Sequence, residues 1–224
     1  MFRADFQDIG QIEYKAAWSY QEELHRQVEI FRSNYSNKIG YLLFCEHPHV
    51  YTLGKNGNQN NLLINESFLN KIEATYVKTN RGGDITYHGP GQIVGYPIFD
   101  LQKLRIGIKI YVYNIEEAII QTLKEYNITA ERLPGSTGVW LDSKYPEKAR
   151  KICAIGVRVS KGITMHGFAF NINTNLDYFN YIIPCGIQNK GITSLKKELN
   201  KNIDINEVKN KLKNHIANIF NLTL

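Results

Sequence analysis

Apolar residues recur along the chain with two periods, one typical of amphipathic helices and one typical of buried strands. Spacings of three and four residues predict helices over residues 14–31, 108–126 and 203–220. Short apolar runs bounded by turn residues predict strands over residues 5–9, 41–45, 50–53, 74–78, 93–101, 138–141, 151–160 and 167–173. Because these strands adjoin one another as often as they alternate with helices, we expect an α+β (α/β) fold with a mixed, largely antiparallel sheet flanked by helices.

Length and composition are those of one globular domain. The chain has 224 residues, of which 43% are hydrophobic and 21% charged, and these values exclude a disordered or fibrous protein. We expect a single domain over residues 1–224, with no apolar run near the roughly 18 residues of a membrane helix and no secretory signal at the start. Three widely spaced cysteines, Cys45, Cys153 and Cys185, indicate free thiols and a cytoplasmic location.

The net charge of +6 is compatible with an acidic protein partner, with nucleic acid or with an anionic membrane surface. No arginine-rich block stands out in the sequence. We therefore expect neither nucleic acid nor a membrane as partner.

The segment RGGDITYHGPGQ, residues 81–92, combines glycines with many polar side chains. The glycines allow the backbone to approach a ligand closely, and Arg81, Asp84, Thr86 and His88 supply donors and acceptors among them. A plain glycine-rich hairpin is the simpler alternative, but a hairpin rarely needs so many polar types. Because the Gly-Lys-Ser/Thr ending of a phosphate loop is missing, the sequence predicts a binding loop of another kind.

Two side chains could supply reactive chemistry, although each also has a structural explanation. Cys185 follows Pro184 and precedes Gly186, so its thiol could stand on a sharp bend; the alternative is a buried, inert cysteine. A free thiol is mostly protonated at pH 7, so a nucleophilic Cys185 would need a nearby cation or base. Lys151 shares a strand face with apolar residues and is either an edge residue with its charge in water or a cation in a pocket.

Taken together, the motifs resemble the lipoyl(octanoyl) transferase family in order and spacing. They are EHPHVYTLG (46–54), RGGDITYHGPGQ (81–92), GVW (138–140), KICAIG (151–156), HGFAFNIN (166–173), IPCGI (183–187) and ITSL (192–195). The resemblance is strongest over residues 41–195, and residues 203–220 follow as a predicted amphipathic C-terminal helix.

The resemblance implies a fold like the catalytic domains of biotin and lipoate protein ligases. It also implies an acyltransferase that moves an octanoyl group from octanoyl-acyl carrier protein to a lysine of a lipoyl domain, the first step of endogenous protein lipoylation. The implied acceptors are lipoyl domains of 2-oxoacid dehydrogenases or the glycine cleavage H protein, and no cofactor, metal or ATP is implied.

The resemblance also assigns roles to individual residues. Cys185 would be the acyl-thioester nucleophile and Lys151 its partner. Asp84 stands where Gln or Glu is more usual in the family. The substrate site would be lined by Arg81, Gly82, Gly83, Asp84, Ile85, Thr86, Tyr87, His88, Ala154, Ile155, Gly156, Gly167, Phe168 and Ala169.

Three other functions stay open. An ATP-dependent lipoate or biotin protein ligase would share the fold and a lysine similar to Lys151, but it would need no cysteine nucleophile. A non-catalytic module would bind acylated carrier protein without turnover. A cysteine hydrolase is a further alternative, but the His and Asn/Asp pattern that such an enzyme needs does not stand out in the sequence.

Overall fold

The computed structural model describes residues 1–34, 36–183 and 190–224, so the predicted nucleophile Cys185 lies outside the described residues. The helices are α1 (Tyr14–Ser33), α2 (Glu66–Lys71), α3 (Leu101–Leu104), α4 (Ile108–Lys124), α5 (Leu195–Leu199) and α6 (Ile205–Phe220). The strands are β1 (Phe2–Gln11), β2 (Lys38–Glu46), β3 (Val50–Leu53), β4 (Thr75–Lys78), β5 (Ile85–His88), β6 (Gln92–Phe99), β7 (Glu131–Leu133), β8 (Ser136–Leu141), β9 (Arg150–Ser160), β10 (Ile163–Asn171), β11 (Gly191–Ile192) and β12 (Leu222–Thr223).

The main sheet of the described residues is mixed and largely antiparallel, as the sequence predicts. Its order is β12-β1-β2-β6-β10-β9-β8-β7, and β11 pairs beside β9. The pairs β1/β12, β1/β2 and β9/β11 are parallel, and the other neighbours are antiparallel. A second sheet, β4-β3-β5, was not foreseen, because an apolar run predicts a strand but does not name its partner.

Strand β2 explains why a continuous apolar run can be one buried strand. Its side chains alternate between the two faces of the sheet: Tyr41, Leu43 and Cys45 pack in a cluster with α1, whereas Leu42 and Phe44 pack in the larger core with α4 and α6. Since both faces are covered, every residue of the run is apolar.

Element ends are set by local chemistry more than by periodicity. The C-terminal helix begins at Ile205, not at residue 203, because the Asp204 side chain caps it by accepting from the backbone N–H groups of Asn206 and Glu207. The predicted hairpin between β9 and β10 is present and turns through Lys161 (φ 52°) and Gly162 (φ 76°), the positive φ values of a tight two-residue connection. Among the described residues, no helix is long and apolar enough to cross a membrane.

Candidate active site

A cavity of about 410 Å³ lies between the loop that precedes β5 and the paired strands β9 and β10. The structure brings most of the predicted site residues together around it. Those that line the cavity are Arg81, Gly82, Gly83, Asp84, Ile85, Thr86, His88, Lys151, Ala154, Ile155, Gly156, Gly167, Phe168 and Ala169.

Tyr87 is placed elsewhere. Alternation along β5 turns its fully buried ring away from Thr86 and His88. The ring stacks on Tyr178 with 4.9 Å between centroids, and its hydroxyl lies 2.7 Å from Nδ1 of His49. Tyr87 therefore packs in the core of the small sheet and is not among the residues that line the cavity.

The side chain of Arg81 holds the loop in shape. Its buried guanidinium donates to the carbonyl oxygen of Thr52 (2.6 Å), to the hydroxyl of Thr52 (2.9 Å) and to the carbonyl oxygen of Asp84 (2.8 Å). These bonds fasten both ends of the 81–84 turn to β3. The same group places a positive charge near Tyr14 and His166.

Asp84 joins the binding loop to the loop that follows β3. Its carboxylate accepts from the backbone N–H of Ile85 at 2.7 Å and of Asn58 at 3.1 Å, and from the side-chain amide of Asn61. A longer Glu or Gln side chain would have to fold back to make these bonds. The short Asp84 side chain therefore fits the hydrogen-bond donors of this loop.

The loop also rests directly on β9. The backbone N–H of Gly82 donates to the carbonyl oxygen of Val157 at 2.9 Å. A Cβ atom at Gly156 would lie 2.8 Å from the carbonyl oxygen of Gly82. Only a residue without a side chain permits this approach of two backbones.

We expect Gly156→Ala to lower the free energy of unfolding by about 1–3 kcal/mol, because the added methyl group forces the loop off β9. Urea denaturation followed by circular dichroism measures this. Gly107→Ala is the matched control, since a Cβ there has nothing within 4 Å. Equal stabilities of the two variants would contradict the proposed contact.

Lys151 lies buried on β9 at the cavity wall. Its ammonium nitrogen is 4.7 Å from the centroid of the Trp140 ring, and Nζ of Lys190 is 5.7 Å from the same centroid. Lys190, the first described residue after the segment 184–189, thus lies near Lys151. Strand β11 continues this proximity, with Ile192 opposite Lys151 in parallel register.

The residue-by-residue prediction missed two polar residues, Gln92 and Asn171, which line a smaller pocket that shares Lys151 with the cavity. Nδ1 of His88 donates to Oε1 of Gln92 at 2.9 Å. The Gln92 amide donates to Oδ1 of Asn171 at 2.9 Å, and the Asn171 amide donates to the carbonyl oxygen of Thr193 at 3.0 Å. Gln92 ends the motif 81–92 and begins strand β6, and Asn171 lies within the motif 166–173 and ends strand β10. A polar residue at the boundary of an apolar strand was the available signal.

Three aromatic side chains of the cavity wall, Tyr14, His88 and His166, are uncharged although the Arg81 guanidinium lies near them. Burial raises the pKa of Tyr14 to about 12, lowers the pKa of His166 to about 3 and lowers the pKa of His88 well below its ordinary value. With Val94 and Phe168 beside them, these uncharged groups form a surface that an apolar chain can contact.

The sequence model of the lipoyl protein ligase A/B catalytic domain family matches residues 13–217 of this chain. An octanoyltransferase of Cytophaga hutchinsonii is 49% identical in an alignment that covers 96% of this chain and 92% of that protein.

Solved structures show the same fold at low sequence identity. A bi-partite lipoate protein ligase from Thermoplasma acidophilum superposes with a TM-score of 0.70 at 16% identity, over 100% of this chain and 86% of that one. A biotin protein ligase from Aquifex aeolicus gives a TM-score of 0.57 at 15% identity, over 97% of this chain and 70% of that one. The expected fold class is thereby confirmed, and the chain belongs to the lipoyl protein ligase A/B catalytic domain family, with octanoyltransferases as its relatives at about half sequence identity.

Proposed function

We propose that this protein is an octanoyltransferase that moves an octanoyl group from octanoyl-acyl carrier protein to a lysine of a lipoyl domain, through a thioester on Cys185. The observation that carries the proposal is the meeting at Trp140 of Lys151, on the cavity wall, with Lys190, at the end of the segment that contains Cys185. The names of the relatives at about half identity support the same activity.

Both ends of the Cys185 segment are fastened near the cavity. On the N-terminal side, Ile182 bridges Leu62 and the backbone N–H of Ile183 donates to the carbonyl oxygen of Asn61 at 2.9 Å. On the C-terminal side, the backbone N–H of Thr193 donates to the carbonyl oxygen of Lys151, also at 2.9 Å. These anchors support the pairing of the Cys185 thiol with the Lys151 ammonium.

The first step forms an acyl-enzyme. The Cys185 thiolate attacks the thioester carbonyl carbon of the donor, a new C–S bond forms, and the bond to the carrier sulfur breaks. The carrier leaves as a thiol once it takes up the proton that Cys185 lost. Lys151 stabilises the thiolate as a cation, or in its neutral form carries that proton.

The second step delivers the acyl group to the acceptor. The lysine amine of the lipoyl domain attacks the acyl-cysteine, a C–N bond forms, and the Cys185 sulfur leaves and recovers a proton from the amine. Thioester exchange is near balance and amide formation from a thioester runs downhill, so the reaction needs no nucleotide. A free thiol nucleophile also requires a reducing compartment, which supports a place in the cytoplasm.

Intact-mass spectrometry after mixing the protein with octanoyl-acyl carrier protein tests the proposal. We expect a gain of about 126 Da, one octanoyl group replacing the thiol hydrogen. Cys185→Ala should abolish the adduct, and Cys45→Ala, at a buried thiol that is not among the residues lining the cavity, should retain it.

Two results would contradict the proposal. An adduct that persists in Cys185→Ala would place the acyl group on another residue. Acylation of a lipoyl domain that requires ATP and survives Cys185→Ala would identify a ligase, the activity named for the structural neighbour of the same fold.

A further inference from the structure

An apolar groove lies beside the outer mouth of the cavity. The cavity residues on this side are Val112 of α4, Gly135 in the turn between β7 and β8, and Val157 of β9, and we call this side its outer mouth because Val157 is common to the cavity and the groove. Val157 also lines the groove, whose volume is about 500 Å³. The other groove residues are Leu101, Gln102, Ile106, Ile108, Val159 and Gly162.

Helix α4 makes the groove and the mouth one continuous surface. Ile108 in the groove and Val112 at the mouth are four residues apart, so they stand on the same helix face. Ile108 and Val159 are 39% and 40% exposed, which is high for large aliphatic side chains. A contiguous apolar surface of this kind at a cavity mouth marks an interaction site.

The two chain segments that build the groove carry one sign of charge. Residues 101–115 and 157–163 contain five basic residues and no acidic residue; the basic residues are Lys103, Arg105, Lys109, Arg158 and Lys161. Lys103 donates to backbone carbonyls and Lys161 pairs with Glu29. Arg105 and Lys109 are exposed, and within the described parts of the chain neither has an ion-pair partner.

We propose that this surface, the groove rimmed by Arg105 and Lys109, docks the acidic acyl carrier protein that donates the octanoyl group; the inference rests on the proposed function. An apolar centre with a basic rim is complementary to an acidic partner that presents an apolar face. The position at the mouth lets the thioester-bearing arm of the carrier enter the cavity while the carrier stays outside.

The distance along β9 assigns the groove to the donor and not to the acceptor. Val159 is eight residues from Lys151, which is at most about 26 Å along an extended strand. The acceptor offers only a lysine side chain, so it must sit directly over the Lys151 end of the cavity. A carrier with a longer prosthetic arm can dock at the far mouth.

The test is the double variant R105E/K109E, assayed with two donors: octanoyl-acyl carrier protein and the small neutral octanoyl thioester of N-acetylcysteamine. We expect kcat/KM for the carrier to fall about tenfold or more, because steering by opposite charge is reversed, and kcat/KM for the small thioester to stay within twofold. Glu at position 109 stands in the first turn of α4, where a negative charge favours the helix, so the variant keeps its fold. The double variant K124E/K201E, at two exposed sites outside the groove lining, changes the net charge by the same amount; it is the matched control and should leave both values unchanged.

Three outcomes would overturn the docking surface: an unchanged kcat/KM for the carrier, an equal loss with both donors, or a higher KM for the lipoyl domain alone. Titration of octanoyl-acyl carrier protein into Cys185→Ala, with and without R105E/K109E, separates docking from chemistry. Weaker binding caused by the charge reversal supports the surface even if the wild-type protein forms no acyl-enzyme. The absence of an acyl-enzyme in the wild-type protein would contradict only the proposed function.

Discussion

Replacing Lys151 with Met is expected to lower kcat/KM for octanoyl transfer by about 10²–10⁴-fold, the usual effect of removing a positioned acid–base group. A free cysteine is only slightly ionised near pH 7, and a neighbouring cation is what makes it a nucleophile. Lys151 is buried against the ring of Trp140, so its charge acts in a medium where solvent screens it weakly. The rate of acyl-enzyme formation, followed by mass spectrometry, measures the loss directly.

Lys190→Met is the matched control, because Nζ of Lys190 lies 5.7 Å from the centroid of the same Trp140 ring and Lys190 is not among the residues that line the 410 Å³ cavity. We expect its effect to stay below about fivefold, as for other partly solvated charges. Equal losses in the two variants would mean that general positive charge, and not Lys151 itself, assists the thiol. Lys151→Arg adds a further distinction: a rate partly restored by Arg indicates a charge partner, whereas no recovery indicates proton transfer, since Arg does not deprotonate.

The sheet was predictable where side-chain pattern alone decides the structure. Strand β2 has a continuous apolar run because both its faces are covered, and the hairpin at Lys161 and Gly162 follows from local turn chemistry. The small sheet β4-β3-β5 was not predictable, because pairing depends on residues far apart in the chain. Strand β1 extends beyond the predicted residues 5–9 at both ends, and this extra length likewise depends on pairing with its parallel neighbours β2 and β12.

The candidate site was predictable as a set of residues and less so as a set of roles. Motif resemblance placed the loop, β9 and β10 around one ligand, and the cavity is lined by these elements. It did not separate Tyr87, which packs inward, from its neighbours on β5. The resemblance also did not predict that Arg81 donates its hydrogen bonds to Thr52 and Asp84. The partners of a guanidinium depend on which residues the fold brings near it.

Three buried histidines couple this site to the stability of the whole protein. Each neutral ring is satisfied as it stands: Nδ1 of His47 donates to the carbonyl oxygen of Ile12 and its Nε2 accepts from the hydroxyl of Tyr96, both at 2.7 Å. Burial lowers the pKa of His47 to about 4 and the pKa of His166 to about 3, and it lowers the pKa of His88 well below its usual range.

The protein is therefore expected to lose stability steeply as the pH falls below about 6.5. The unfolded chain protonates these histidines near pH 6.5, whereas the folded protein holds them neutral down to their lowered pKa values, so the unfolded state binds more protons and is favoured by acid. Each ring contributes up to about 1.4 kcal/mol per pH unit, or about 2 kcal/mol by pH 5. Three rings together remove about 6 kcal/mol, which is a large part of the roughly 5–15 kcal/mol that stabilises a domain.

Urea denaturation at a series of pH values between 7 and 5 measures this dependence. Above pH 5 the carboxylates contribute little, because those with shifted values have pKa values lowered below 4.5. His47→Gln removes one titrating ring, so the average slope of unfolding free energy against pH over this range should decrease by about 1 kcal/mol per pH unit, whatever the stability of the variant at pH 7. A wild-type slope near zero, or an unchanged slope in His47→Gln, would show that the folded protein already admits protons to these rings. Since His88 and His166 line the cavity and are already neutral in the folded protein, a bound octanoyl chain should raise the unfolding free energy by a similar amount at each pH and leave the slope unchanged.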